Sequence, residues 1–572
     1  MKWKMSARAC LAASLLALSL ISTAGARIIT VDDDAPADFN NIQAAIDDAT
    51  EGDVVEIKPG TYTGYENREI RFYGKAITVR STNPENLDIV AATIVDCENK
   101  AQGFIFDNAE DANSVLSGLT ITNGRGGEGY SAGGAIGCNG SGPLIANCIM
   151  TNNSGWGGAI GTTYSDLIIR NCIITHNNSV TWGGGIFGTR LNSLTVENCI
   201  ISHNTSPTWG GGIRSTSMGP VVIKNCIITG NKSEFGGGIS ARTGHVSIIG
   251  CVITGNYATE AGGGIFGRNH AHLTILSSIV SDNTAPAGPE IALTETNEPD
   301  AYSDYHGQPV LVPSYSNIRG GQPEIHVEDE YPIDWGPGNI AADPCFAAGG
   351  HWGHIADSDI HVEPNDPNAT WVDGDYHLVS QGGRYDPNTG SWVIESVTSA
   401  CIDAGDPISP IGSELFPNGG RVNMGAYGGT AEAAKSYFGK ALCETIVAGD
   451  INGDCLIDAT DFALVAGNWL TDGTFPLPEQ PGNPNPSDSA VGIEIDPVLT
   501  WTPGTDARLH VIYFGPDRLY YYYGAQTETT FSPPYSLSYN TTYAWRIDEI
   551  GLYGITKGPI WTFTTEEEGG GR

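Results

Sequence analysis

Apolar and polar positions in this chain alternate in short runs, and the runs return at a nearly constant interval. "GGAI" stands at 133–136 and 157–160, and "GGGI" at 183–186, 210–213, 236–239 and 262–265. The closing isoleucines, Ile136, Ile160, Ile186, Ile213, Ile239 and Ile265, are spaced 24, 26, 27, 26 and 26 residues apart. Two further columns keep step: Cys148, Cys172, Cys199, Cys226 and Cys251, and Asn153, Asn177, Asn204, Asn231, Asn256 and Asn283. Two-helix solenoid repeats run to ~33 residues or more and propeller blades to ~40, so this period predicts a coil of three short strands. Within one period, "PVVIKNCIITGN" is rich in β-branched residues and bounded by Gly and Asn, as strands broken by a tight bend are. A single coil cannot bury its apolar side. Coils stacked about 4.8 Å apart can, with each strand pairing in parallel with its copy in the next turn and equivalent side chains forming columns. Asn suits the bends because its amide bonds local backbone and the next Asn and because it tolerates left-handed φ. Paired glycines permit the sharp corner before each Ile.

The flanks carry other patterns. In "FNNIQAAIDDATEGDVVEIKPGTY" (39–62), Asn41 can cap a helix whose apolar stripe is Ile42, Ala45, Ile46 and Ala49, with Gly52 ending it before the strand "VVEI". Such a helix would plug the open end of the coil. "FPLPEQPGNPNPSD" (475–488) reads as a linker. Beyond it "PVLTWTPGTDA", "HVIYFG", "TTYAWRIDEI" and "GPIWTFTT" alternate between turn signals as strands of a small β-sandwich do. The predicted fold class is all-β.

The phrases "NCIITHN", "NCIISHN" and "NCIITGN" with "GGGI" resemble the right-handed parallel β-helix of the pectin lyase-like superfamily, and the "GGAI" cadence resembles repeats of bacterial polymorphic outer-membrane adhesins. "DGDYHL" (373–378), "SACIDAGDP" (399–407) and "VNMGAYGGT" (422–430) resemble closing segments of secreted β-helix proteins of planctomycete type. The resemblance implies a right-handed parallel β-helix solenoid over 27–435, including a capping helix at 39–50. It specifies fold well and chemistry poorly. Trp501, Tyr543 and Trp545 resemble core aromatics of a fibronectin type III module over 491–565, after a linker at 471–490 and before a solvated tail at 566–572.

Composition and charge narrow the setting. Lys2, Lys4 and Arg8, the apolar run "LAASLLALSLIS" and "AGA" at 24–26 read as a signal peptide over 1–26, so the product is expected to be secreted or at the cell surface. No later stretch reads as a membrane helix, so membrane insertion is not expected. A net charge of −37 disfavours nucleic acid and anionic lipid as partners and suits bound cations and sugars.

Candidate chemistry lies on the columns. Four residues before the repeat Ile stand Trp156, Trp182, Trp209 and Phe235, which either stack on successive sugar rings or pack on one another at the coil corner. Just after it come Arg190, Arg214, Arg242 and Arg268, whose guanidinium forks suit carboxylates or sulfates of an acidic glycan, or are solvated loop residues. Polysaccharide is thus the expected partner, met by a lyase or glycoside hydrolase, with a non-catalytic glycan-binding or adhesion protein as the alternative. The paired-aspartate and "RIK"-like signatures of polygalacturonases are missing, and no two carboxylates are selected as a catalytic pair. His176 and His203 share a slot that later turns fill with Gly230 and Gly255, and read as turn residues. The cysteine column reads as a core ladder, its parallel side chains ill-placed to bridge, while Cys345 with Cys401 and Cys443 with Cys455 are the pairings considered.

"GDINGDCLIDATDFALVAGNWL" (449–470) spaces Asp450, Asn452, Asp454, the Leu456 carbonyl, Asp458 and Asp461 at loop positions 1, 3, 5, 7, 9 and 12, the pattern that wraps Ca²⁺. With Cys455 at position 6 and a short acid at 12, it resembles a single dockerin loop within a module at 443–470, which implies a cohesin-like or cell-surface partner or a brace for the following helix.

Overall fold

A computed structural model describes residues 26–437 and 477–567, apart from 217–218, 295–307, 329–330, 508, 517–520, 534–535 and 552–553. The expected signal peptide except Ala26, the calcium-loop module with Cys443 and Cys455, and residues 568–572 of the tail lie outside the described residues.

Each repeat contributes one strand to each of three parallel sheets, of eleven, ten and ten strands. In one coil these strands are Val221–Lys224 in sheet A, Ile227–Thr229 in sheet B and Ile239–Ala241 in sheet C. The isoleucine column is in register throughout: Ile136 faces Ile160, followed by Ile186, Ile213, Ile239, Ile265 and Ile291, all fully buried. Each buried Ile adds roughly 1.5–3 kcal/mol of apolar transfer, and none could be buried by a lone coil.

The corner from sheet A to sheet B is turned by one residue with left-handed φ, Asn147, Asn171, Asn198 or Asn225, at 51–54°. The cysteine that follows points inward. Its backbone N–H donates to the next coil's Sγ at 3.4–3.5 Å, and its thiol donates to the carbonyl two residues back, at 3.2 Å in the first four rungs. These thiols are buried and unbridged, and Ser278 and Ser316 continue the column. Cys345 and Cys401 are also unbridged.

The asparagine column differs from expectation. Asn153 to Asn283 do not take the left-handed bend; the residues before them do, Asn152, His176, His203, Gly230, Gly255 and Asp282, at φ 55–64°. The reason is geometric. The preceding residue turns the chain so that the Asn amide points into the coil, where Oδ1 accepts from the backbone N–H and Nδ2 of the previous rung at 2.9–3.1 Å.

Helix Ile42–Asp48 closes the first coil: Asn41 Oδ1 accepts from Ala44 N–H, and Ile42, Ala45 and Ile46 are buried. At the far end the parallel pairing finishes with His326–Val327 and isolated bridges at Ile333 and Ile340, short of the expected residue 435. Residues 343–437 fold back as hairpins and turns. Tyr376, Leu378, Ile402 and Met424 pack on Ile227, Val252 and Ile279, outward residues of sheet B. The repeat columns stop before this segment, so it has no way to continue the coil.

The C-terminal unit has a three-stranded and a six-stranded sheet around Trp501, Phe514, Tyr543, Trp545 and Phe563. Its first strand, Gly482–Asn485, falls inside the expected linker. Strand Tyr521–Gln526 lies against Gly244–Ile249 of sheet A, where burial extends to both faces, whereas the equivalent strands Asp166–Arg170 and Ser193–Glu197 alternate. Among the described residues no helix is long and apolar enough to cross a membrane.

Candidate functional site

The aromatic and arginine candidates gather around sheet C: Arg214 and Arg268 lie on its strands, Arg190 and Arg242 just follow them, and Phe235 belongs to a separate two-stranded sheet. Gly183, Gly210, Gly236 and Gly262, at φ 63–68°, turn the chain into sheet C, and each is followed three residues later by the inward Ile. The next residue faces outward: Gly137, Gly161, Phe187, Arg214, Ser240, Phe266 and Ala292 in successive coils. Trp182, Trp209 and Phe235 adjoin one another along the edge.

The structure divides the eight candidate residues into two groups. In the later coils, Trp209 and Phe235 stack at 4.5 Å and 17°, and both tilt onto Phe266. The Arg268 guanidinium lies 3.7 Å from the Trp209 ring centroid and that of Arg214 5.1 Å, while Arg214 Nη1 donates to Ser240 Oγ at 2.6 Å. Trp209 is 5% exposed, and Arg214, Arg242 and Arg268 are 2%, 6% and 3% exposed. This half is packed; its cations sit on rings that would otherwise meet a ligand. On sheet A, His245 and His272 stack at 4.7 Å. Burial depresses His272 to about 4 and His245 well below the usual imidazole range, so both are neutral near pH 7.

In the two earlier coils the outward position is glycine, and in the coil of Trp182 it is Phe187, which tilts onto Trp182 at 5.6 Å and Tyr130 at 6.3 Å. A Cβ at Gly137 would strike Ser131 O, and one at Gly161 would strike Gly133 N, so their absence lets residues 131–133 lie against the sheet. That brings Tyr130 over Trp182, with centroids 6.0 Å apart and rings 16° from parallel. Trp156 meets Trp182 edge to face at 6.2 Å. Arg190 holds its guanidinium 5.5 Å from the Tyr130 centroid and 5.6 Å from that of Tyr164, which is 52% exposed. Trp156, Trp182 and Arg190 are partly exposed. Tyr130 and Tyr164 belong to no column, so periodicity does not find them; the extra residues in "GGEGYSAGGAI" are the one signal.

A second cluster joins distant sequence. His176 and His203 stack at 4.4 Å and 11°, and the glycines that replace them in the next two coils leave a notch filled by the Trp371 indole, where any Cβ would clash. His203 Nε2 bonds the Trp371 carbonyl at 3.0 Å, while its buried Nδ1 has no hydrogen bond and faces Asp373 Oδ2 at 3.9 Å. His176 Nδ1 pairs with Thr175 Oγ1 at 2.9 Å. Burial raises the Asp373 carboxyl against the pull of both imidazoles, and desolvation, then His203, lowers His176. The change from His to Gly in one slot thus marks where the excursion docks.

In the closing segment, His377 lies between Asp375 (2.5 Å) and Glu432 (3.3 Å) and stacks on Tyr427 at 3.6 Å. Arg384 spans Asp375 and Glu395. "DYHL" and "GAYGG" therefore meet as a structural clasp. Outward on sheet A, Glu197 pairs with Arg170 at 3.0 Å and Lys224 at 3.5 Å. Among the described residues, Asp32, Asp33 and Asp34 are the one group spaced for a cation, but Asp33 accepts from Thr61 N–H and Asp32 from Ala35 N–H.

Comparison with known families bears on the coil. Residues 55–244 match the family described as right handed beta helix region. The coil is a right-handed parallel β-helix. The match spans both the open aromatic group and His176 and His203, and ends before the closing segment. No curated protein matches the chain. A β-helix scaffold is consistent with a polysaccharide-related role.

Proposed function

We propose that this β-helix protein engages an extracellular polysaccharide along the outer face of sheet C. The observation that carries the reading is the open group of rings at Tyr130, Trp156, Trp182 and Tyr164, half-exposed on a rigid repeated surface. Aromatic rings cover the apolar faces of pyranoses, and parallel strands hold them at a fixed rise. A second reading, cleavage of that polysaccharide by a lyase or hydrolase, draws on the Asp373–His203 pair beside His176, groups of the kind that move protons.

The test is incubation of the purified protein with uronic and neutral polysaccharides, scored by retention on immobilised glycan, ultraviolet absorbance of unsaturated products and new reducing ends. Retention without products supports binding alone; products support cleavage. Absence of both refutes the reading. Export is part of the same proposal, as is calcium held by Asp450, Asn452, Asp454, Leu456, Asp458 and Asp461, which rests on ligand spacing and is tested by terbium luminescence. A cohesin-like partner of that loop is a further part.

A further inference from the structure

We infer that Cys345 and Cys401, which are thiols in this structure, join as a disulfide in the oxidised protein and staple the closing segment to the end of the coil. Such a bridge goes beyond the polysaccharide reading and does not depend on it. Two clamps bring the pair together from distant sequence. Asn317, in strand Asn317–Ile318 of sheet B, accepts at Oδ1 from Ala342 N–H at 3.0 Å, and its Nδ2 donates to Ala342 O at 3.0 Å and to Cys401 Sγ at 3.3 Å. Ser399 Oγ donates to Pro344 O at 2.6 Å and accepts from Cys401 N–H at 3.1 Å. Between the clamps, Cys345 C=O accepts from Val379 N–H and Val379 C=O from Ser399 N–H, each at 3.0 Å. Residues 342–345 and 399–401 are thus held side by side, with Cys401 buried and Cys345 partly exposed. The Cys345 thiol is near enough for its charge to lift that of Cys401.

The ladder thiols lack this arrangement. Cys148 to Cys251 stand in one column, so neighbouring side chains point the same way, and each thiol donates to the carbonyl two residues back. Among the described residues the Cys401 thiol has no carbonyl to donate to; its sulfur accepts from Asn317, a role that a bridged sulfur keeps. A cross-link from 345 to 401 also restrains the unfolded chain where no repeat column holds it.

The oxidant is a small-molecule or protein disulfide, which the export proposed above would supply. The Cys345 thiolate attacks this donor, bonding to one donor sulfur while the other leaves as a thiolate. The Cys401 thiolate then attacks Cys345 Sγ, forming the Sγ–Sγ bond and releasing the second donor thiolate. Two electrons pass to the donor, and the two cysteine protons end on its two thiols. Burial raises the Cys401 thiol from 9.0 to about 12, and burial, then Asp343, raises Cys345. Thiolate is scarce once the segment has packed, so the exchange runs while it folds.

The test unfolds the full-length protein in urea with reductant and returns it to buffer holding glutathione and its disulfide, with circular dichroism to confirm refolding. Remaining thiols are alkylated in denaturant and the chain is cut with trypsin, which leaves Cys345 in peptide 320–384 and Cys401 in peptide 385–421. Mass spectrometry is expected to find these peptides joined until reduced, and the ladder cysteines alkylated. Cys345 and Cys401 both alkylated, or either joined instead to Cys443, Cys455 or glutathione, overturns the inference. If refolding fails, native protein held at about pH 9 with glutathione disulfide in mild urea gives the same map, read in the same way. Reductant is expected to speed proteolysis within 346–400 about tenfold in the wild type and to leave Cys345→Ser unchanged. A wild-type rate that ignores reductant shows that no bridge staples the segment.

Discussion

Glu290 closes the asparagine column, and its replacement gives a measurable test of how the ladder ends. Every earlier rung donates Nδ2 to the next Asn Oδ1; Asn283 Nδ2 instead donates to Glu290 Oε2 at 2.6 Å. Burial lifts the Glu290 carboxyl from 4.5 to about 7, with Asp282 adding and Asn283 and Arg319 opposing. The folded chain therefore binds this proton more tightly than the unfolded chain. Stability from Glu290 is fully present below about pH 4.5 and is lost as pH rises through about 7, and the separation of the two values corresponds to about 3 kcal/mol. Glu290→Gln stays neutral at every pH and keeps an oxygen for Asn283. It should match the wild type near pH 4.5 and exceed it by about 3 kcal/mol above roughly pH 8. The assay is urea unfolding across that range, reported as the difference between variant and wild type. Glu414, also raised to about 7 by burial, is present in both proteins and cancels. A difference that is flat with pH, or that shrinks as pH rises, refutes the reasoning.

Asn204→Ala should cost about 4 kcal/mol in urea unfolding, because it removes the acceptor of Asn177 N–H and Nδ2 and the donor to Ile174 O, stranding buried polar groups at roughly 1–3 kcal/mol each. Gly255→Leu should expel Trp371 from its notch and make 351–372 sensitive to protease, whereas Gly52→Ala, at similar left-handed φ but with open space around it, should not. Burial raises the Asp373 carboxyl, so its contribution to docking of the same segment is present when it is protonated and is lost as pH rises through its folded value, whereas the lowered His176 acts in the opposite direction. Hydrogen exchange over 351–372 checks this: Asp373→Asn should remove the tightening on acidification that Asp373 supplies, and an unchanged pH profile would contradict it.

The parallel coil was legible because its physics is periodic. A residue buried on every turn must recur at every turn, so the Ile, Cys and Asn columns and the helix capped by Asn41 follow from spacing alone. Where periodicity stops, so does legibility. The left-handed bend was displaced by one residue because tolerance of left-handed φ does not say which neighbour turns the chain. Arg214 and Arg268 follow the repeat Ile as Arg190 does, yet only the neighbouring Phe266, Ser240 and Trp209 show that they are packed. Asp373 reaches His203 across 170 residues through a notch whose sole trace in the sequence is a change from His to Gly.

The most direct test of the polysaccharide account is a crystal structure of the protein soaked with an oligogalacturonate. The account predicts sugar rings against Tyr130, Trp156, Trp182 and Tyr164. Sugar seated on another face, with these rings uncovered, would contradict it.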